Sequence, residues 1–268
     1  MDVINHQDWA ALSSKFRQAA PFHSICIDNF LSPKFALELS RSYPDFSDAR
    51  NQGLEFSTVN EKRKVQITDL EKFPAPAKKL HDALASDEFL KSMETLSGIK
   101  DLSFDNNYAG GGLHITNSTG ILDVHVDFNF SEALQLYRRL NILIYLNEEW
   151  QEDWGGKIEL WDRKIKNCIE SYSPVLNRCL IFATSDYSFH GVTAVKSPPG
   201  IDRKSFAIYL YNEESNPDVY GESHSTVFKA RPGEKFKKYY QMPAEAGMKK
   251  LSQAIHGGKQ IIKRVIGR

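Results

Sequence analysis

The chain has 268 residues, 41% of them hydrophobic and 25% charged, with 34 basic and 34 acidic side chains. That is enough apolar material for one sizeable core, and no stretch approaches the roughly 18–20 apolar residues of a membrane span. Three scattered cysteines, Cys26, Cys168 and Cys179, argue against a disulfide framework or a structural zinc site; with a start that lacks a basic and apolar leader pattern, they lead us to expect a cytoplasmic protein.

Residues 7–19 carry apolar side chains at helical spacing and predict a helix. Residues 23–28 alternate and predict a strand that runs into Asn29-Phe30-Leu31. Ser32-Pro33 is a helix-start signal for residues 34–42. Two more helices are predicted over 75–84 and 87–96, the second opened by Ser86/Asp87, whereas residues 51–69 are polar and without a clear period.

From about residue 102 the pattern changes. Short alternating or β-branched runs occupy residues 122–128, 140–146, 157–161, 178–182, 192–195 and 205–211. Turn signals separate them, among them Gly110-Gly111-Gly112, Gly155-Gly156 and Asn216-Pro217. Many short strands without interleaved helices predict a sandwich or barrel, so the fold class is mainly β with flanking helices. We expect a helical support region over 1–100, a β core over 101–215 and a basic extension over 216–268, integrated in one domain.

Candidate chemistry lies in the β region. On a strand, residues i and i+2 share a face, so His125 and Asp127 can reach one point in space. His190, at the entrance of the run 192–195, offers a third ligand. Two imidazoles and a carboxylate with open positions are the set that non-haem Fe(II) oxygenases use. Arg203 heads an apolar strand, where its planar fork suits a carboxylate. Alternation places Asn141, Leu143 and Tyr145 on one face of the run that contains them, and it turns Lys204 away from the face of Arg203 and Ser205.

Taken in order, His125-Val126-Asp127, Tyr145-Leu146-Asn147 with Trp150, Gly155-Gly156, His190-Gly191-Val192 and Arg203-Lys204-Ser205 resemble the prolyl 4-hydroxylase-like branch of the 2-oxoglutarate/Fe(II)-dependent dioxygenases. The resemblance covers roughly residues 108–212 and, more loosely, 27–31. It implies a double-stranded β-helix core of jelly-roll, cupin-like type. It also implies Fe(II) on His125, Asp127 and His190, and 2-oxoglutarate as cosubstrate with its distal carboxylate on Arg203 and Tyr145. Asn141 and Ser205 are expected to assist there. His114 stands near the place where the family often has a tyrosine on the preceding strand, and is expected to replace it as a hydrogen-bond donor. Ascorbate is an optional further cofactor.

The resemblance does not choose a substrate. A peptidyl or prolyl residue, an amino acid and a sugar are all compatible, with selectivity expected from residues 51–61, 148–154 and 185–189 and contacts from Trp150, Trp154 and Tyr187. The alternatives are a non-catalytic jelly-roll binding module and a nucleic-acid-modifying dioxygenase. The latter ranks lower, and no nucleic-acid partner is expected, because the core region is net acidic. The charge is end-loaded: residues 229–268 hold eleven basic and two acidic side chains. With apolar residues at 248, 251, 255, 261, 262, 265 and 266, this segment suggests a surface helix and a weak contact with an anionic membrane or polyanion.

Overall fold

The computed structural model describes residues 3–214 and 223–244. Its helices are α1 (Trp9–Gln18), α2 (Pro33–Ser42), α3 (Phe46–Gln52), α4 (Ala75–Leu84) and α5 (Asp87–Ser97). Its strands are β1 (Ser24–Ile27), β2 (Leu54–Ser57), β3 (Glu61–Ile67), β4 (Ser103–Phe104), β5 (Gly112–Val126), β6 (Phe130–Ser131), β7 (Leu136–Tyr145), β8 (Ile158–Trp161), β9 (Cys168–Tyr172), β10 (Arg178–Ala183), β11 (His190–Val192), β12 (Arg203–Asn212) and β13 (Val227–Lys229). Side chains cap several helices at their first turn: Asp8 accepts from Ala11 N, Asp45 from Asp48 N and Ser86 from Phe89 N. Each such cap contributes about 1 kcal/mol.

Every ladder between these strands is antiparallel. The long strand β5 joins two layers. Its first half pairs with β12 on one side and β3 on the other, and its second half pairs with β11 and β13. The path β1-β10-β7-β12-β5-β11-β8-β9 therefore curls over on itself as a jelly roll, as expected from the sequence.

Side-chain alternation divides the main layer into two environments. Ile142 and Ile144 of β7, Phe206, Ile208 and Leu210 of β12, and Leu113 and Ile115 of β5 pack in one core with Phe16, Leu39, Leu80, Leu84, Met93 and Leu96 of the helices. The opposite face presents Asn141, Leu143, Tyr145, Arg203, Ser205, Tyr209, His114 and Thr116 to a cavity. The helices thus cover one face and leave the other for chemistry.

The four predicted helices match α1, α2, α4 and α5 to within two residues at each end. The stretch that had no clear period contains α3 and the hairpin β2–β3, which docks on β5. The expected strand 192–195 begins at His190 and ends at Val192. Among the described residues, no helix is long and apolar enough to cross a membrane. The amphipathic pattern of residues 248–266 lies outside them.

Leu80 is fully buried between the helices and the sheet. Leu80→Ala is expected to lower unfolding stability by about 2–5 kcal/mol through lost burial and a residual cavity, read from the urea midpoint at unchanged slope.

Candidate metal centre

His125 and Asp127 come from the end of β5, and His190 opens β11, where it pairs directly with His125. One ligand atom from each of the three residues can be chosen so that all lie within 4.8 Å of one another. The chemistry of these atoms decides what fits between them. His125 Nδ1 lies 2.8 Å from Asp123 O and His190 Nδ1 lies 2.9 Å from Ser188 O. A carbonyl only accepts, so each ring carries a proton on Nδ1, and in the neutral ring Nε2 carries the lone pair. Burial, then His125, pushes the His190 imidazole down to about 4, which keeps it neutral. The two Nε2 atoms face Asp127 at 3.5 Å (Oδ1) and 3.4 Å (Oδ2). Three lone-pair donors converge with no hydrogen between them, and a divalent cation satisfies all three.

Asp127 is itself oriented by a relay. Arg138 Nε donates to Asn141 Oδ1 (2.8 Å), which leaves the Asn141 amide to donate to Asp127 Oδ2 (2.7 Å). Arg138 Nη2 lies 3.1 Å from the same oxygen, out of hydrogen-bond alignment. Burial works against the charge on Asp127, but Arg138 and the imidazoles outweigh it and hold the carboxyl well below its ordinary value. Arg138 is sandwiched between rings, 3.3 Å from the Tyr209 centroid and 4.8 Å from that of Phe128.

Asn141, expected to assist at the cosubstrate carboxylate, donates from its amide to Asp127, on the metal side. Arg138 had no role in the sequence reading. Strict alternation puts it on the helix side, but β7 has a bulge where Leu140 pairs with Leu210 and Arg138 with Tyr211. That extra residue turns Arg138 inward. The sequence signal was a pair of arginines inside an otherwise apolar strand.

Elsewhere in the same cavity lies a second polar group. Arg203 is buried; its Nε donates to Gly156 O (2.7 Å) and its Nη1 is 3.5 Å from Ser205 Oγ. Among the described residues, no carboxylate pairs with it. The Tyr145 ring lies 5.1 Å away, and its buried hydroxyl has no hydrogen-bond partner among the described residues. A buried cation beside an unsatisfied hydroxyl fits a carboxylate ligand. Gly156 suits this place, since its φ is +64° and an added Cβ would stand 3.1 Å from Arg203 Cδ and from Trp150 Cζ2, closer than ordinary contact. Lys204 turns away, as alternation predicts, and donates to Ser40 O in α2.

His114 and Ser205 also line the cavity. Burial, then Lys64 and Arg203, lowers the His114 imidazole far below its ordinary value, and its Nε2–H is donated to Gly110 O (3.2 Å). The proton expected to serve a ligand carboxylate is thus directed at a backbone carbonyl.

The cavity measures about 370 Å³, and Phe56, Thr58, Glu61, Thr226 and Phe228 contribute to its wall. Of the three segments expected to give selectivity, 51–61 lines it. Trp150, Trp154 and Tyr187 do not; Trp150 instead donates to Gly155 O behind Arg203. Phe228, 5.3 Å from the His125 ring, was missed because nothing local in the sequence joins β13 to β5.

Comparisons with known proteins give matches in sequence and in fold. The family described as the 2OG-Fe(II) oxygenase superfamily matches residues 107–211. A prolyl 3-hydroxylase, OGFOD1 of Mus musculus, is 29% identical over 106 residues, which cover 35% of this chain and 19% of that protein. The chain thus spans about a fifth of the relative's length. Two solved structures share the fold: a Pseudomonas putida prolyl-4-hydroxylase and a Trichoplax adhaerens prolyl hydroxylase in complex with a hypoxia inducible factor peptide fragment. The first has a TM-score of 0.55 at 15% identity, over 76% of this chain and 99% of that one. The second has 0.55 at 17%, over 78% and 95%.

Asn141→Ala, which removes the donor that orients Asp127, is expected to weaken Mn(II) binding about tenfold, measured by titration of the apo-protein. The ligand set carried on the jelly roll agrees with the match of residues 107–211 to the 2OG-Fe(II) oxygenase superfamily.

Proposed function

We propose that the protein is a 2-oxoglutarate- and Fe(II)-dependent hydroxylase acting on a prolyl residue of a peptide. The observation that carries the oxygenase reading is the pairing, in one cavity, of the His125–Asp127–His190 set with buried Arg203, which meets no carboxylate among the described residues. A binding module needs neither. The peptide reading is supported by the prolyl hydroxylases among the matches, one of them bound to a peptide fragment. The cavity wall also supports it, since Phe56, Ile121, Phe128 and Phe228 offer apolar surface suited to an aliphatic ring.

His125, Asp127 and His190 would hold the iron, with Asn141 and Arg138 keeping the carboxylate turned toward it. Arg203, Tyr145 and Ser205 would clamp the distal carboxylate of 2-oxoglutarate, orienting its 2-oxo end toward the metal. Iron bound there, with 2-oxoglutarate and O2, supplies an oxidation that inserts one oxygen atom into a substrate C–H bond and uses the other to convert the 2-oxo acid to succinate and CO2. The protein's own part is to bind, orient and exclude water.

Incubation with Fe(II), 2-oxoglutarate and proline-containing peptides is expected to give succinate together with a peptide heavier by one oxygen atom. In Arg203→Met, which loses charge-assisted bonds to the carboxylate, half-saturation is expected to need about 100-fold more 2-oxoglutarate, with metal affinity unchanged. Succinate formation without any modified peptide would keep the oxygenase and remove the peptide.

A further inference from the structure

The two strands that carry the metal ligands do not pair regularly. His190 of β11 faces His125 of β5, but two residues later Val192 faces Leu122, three residues back. This bulge in β5 lets His125 and Leu122 both face the cavity while Asp123 between them points outward and is fully buried. A bulge leaves ladder carbonyls without a partner. Here Arg231, from the turn after β13, supplies the donors. Its Nη2 lies 3.0 Å from Val192 O and 3.2 Å from Leu122 O, one carbonyl from each strand.

The remaining nitrogens fix the guanidinium in place. Nη1 is 3.2 Å from Asp123 Oδ1, and Nε is 2.8 Å from Glu159 Oε2. Lys237 adds a second cation on Asp123 Oδ1 at 2.6 Å. Gly191 makes room: an added Cβ would stand 3.0 Å from Arg231 Nη2 and 3.0 Å from Val124 N. The backbone oxygen of this same Asp123 receives the His125 Nδ1–H. Two cations of the basic C-terminal part thus point into the protein and meet the residue whose backbone orients a metal ligand.

We propose that Arg231 is a positioning residue of the metal centre, its planar fork holding the β5 bulge and β11 together so that His125 and His190 converge. The inference rests on the metal-site reading above. A guanidinium can bridge two carbonyls and two carboxylates at once, whereas an ammonium keeps the charge without the fork. Arg231→Lys therefore separates the two roles.

The test is Co(II) titration of the apo-protein, followed by the visible ligand-field absorption, with urea unfolding run in parallel. Arg231→Met and Arg231→Lys are both expected to bind Co(II) about 10- to 100-fold more weakly, the range for lost outer-shell partners, with an altered band shape. Arg231→Lys keeps the positive charge near Asp123 and Glu159 and is expected to hold a urea midpoint near that of the wild type. Lys238→Met, an exposed position of the same segment, should bind as the wild type does. If Arg231→Met fails to fold, Arg231→Lys decides. Wild-type Co(II) affinity and spectrum in a folded Arg231→Lys would overturn the proposal and leave the metal site standing. Failure of the wild type itself to bind Co(II) would instead remove the metal site on which the proposal rests.

Discussion

Two imidazole nitrogens and a carboxylate, all withdrawn from water, turn their lone pairs toward one another at about 3.5 Å. The arrangement is repulsive unless a cation shares the space, and most of the neighbouring structure serves to keep it in place. Asp123 O and Ser188 O fix which nitrogen of each histidine carries the proton. Arg138 and Asn141 restrain the carboxylate on one oxygen. Such constraints hold donors where a metal needs them, and metal binding then contributes to stability through linkage.

The rest of the architecture follows from keeping that cluster buried yet reachable. From Leu140 to Tyr145, β7 alternates in register with β12, so one face builds the helix-backed core and the other builds the cavity. β5 breaks alternation. Between Thr116 and Ile121 it loops out against β3, and between Leu122 and His125 it bulges against β11. These irregularities let His114, Leu122 and His125 face one cavity from a single strand, although His125 stands an odd number of residues from each of the other two.

This explains how far the sequence could be read. His125, Asp127 and Tyr145 could be placed because they follow simple period-2 logic, and the four predicted helices because their apolar spacing and capping residues are local. Arg138 could not be placed, because a bulge reversed its face. Asn141 was put on the face it occupies, but its bond to Asp127 was not foreseen, since alternation gives a direction and not a neighbour. The β2–β3 hairpin and β13 owe their positions to pairing with β5, which no local pattern encodes. Arg231 was read as part of a surface charge surplus, whereas it is paired with Asp123 and Glu159, residues far away in the chain.

The most direct measurement is anaerobic addition of Fe(II) and then 2-oxoglutarate to the purified apo-protein while the visible spectrum is recorded. The account predicts a charge-transfer band that needs both components and is lost in His125→Ala. No band in the wild type, with equilibrium dialysis showing no retained iron, would contradict it.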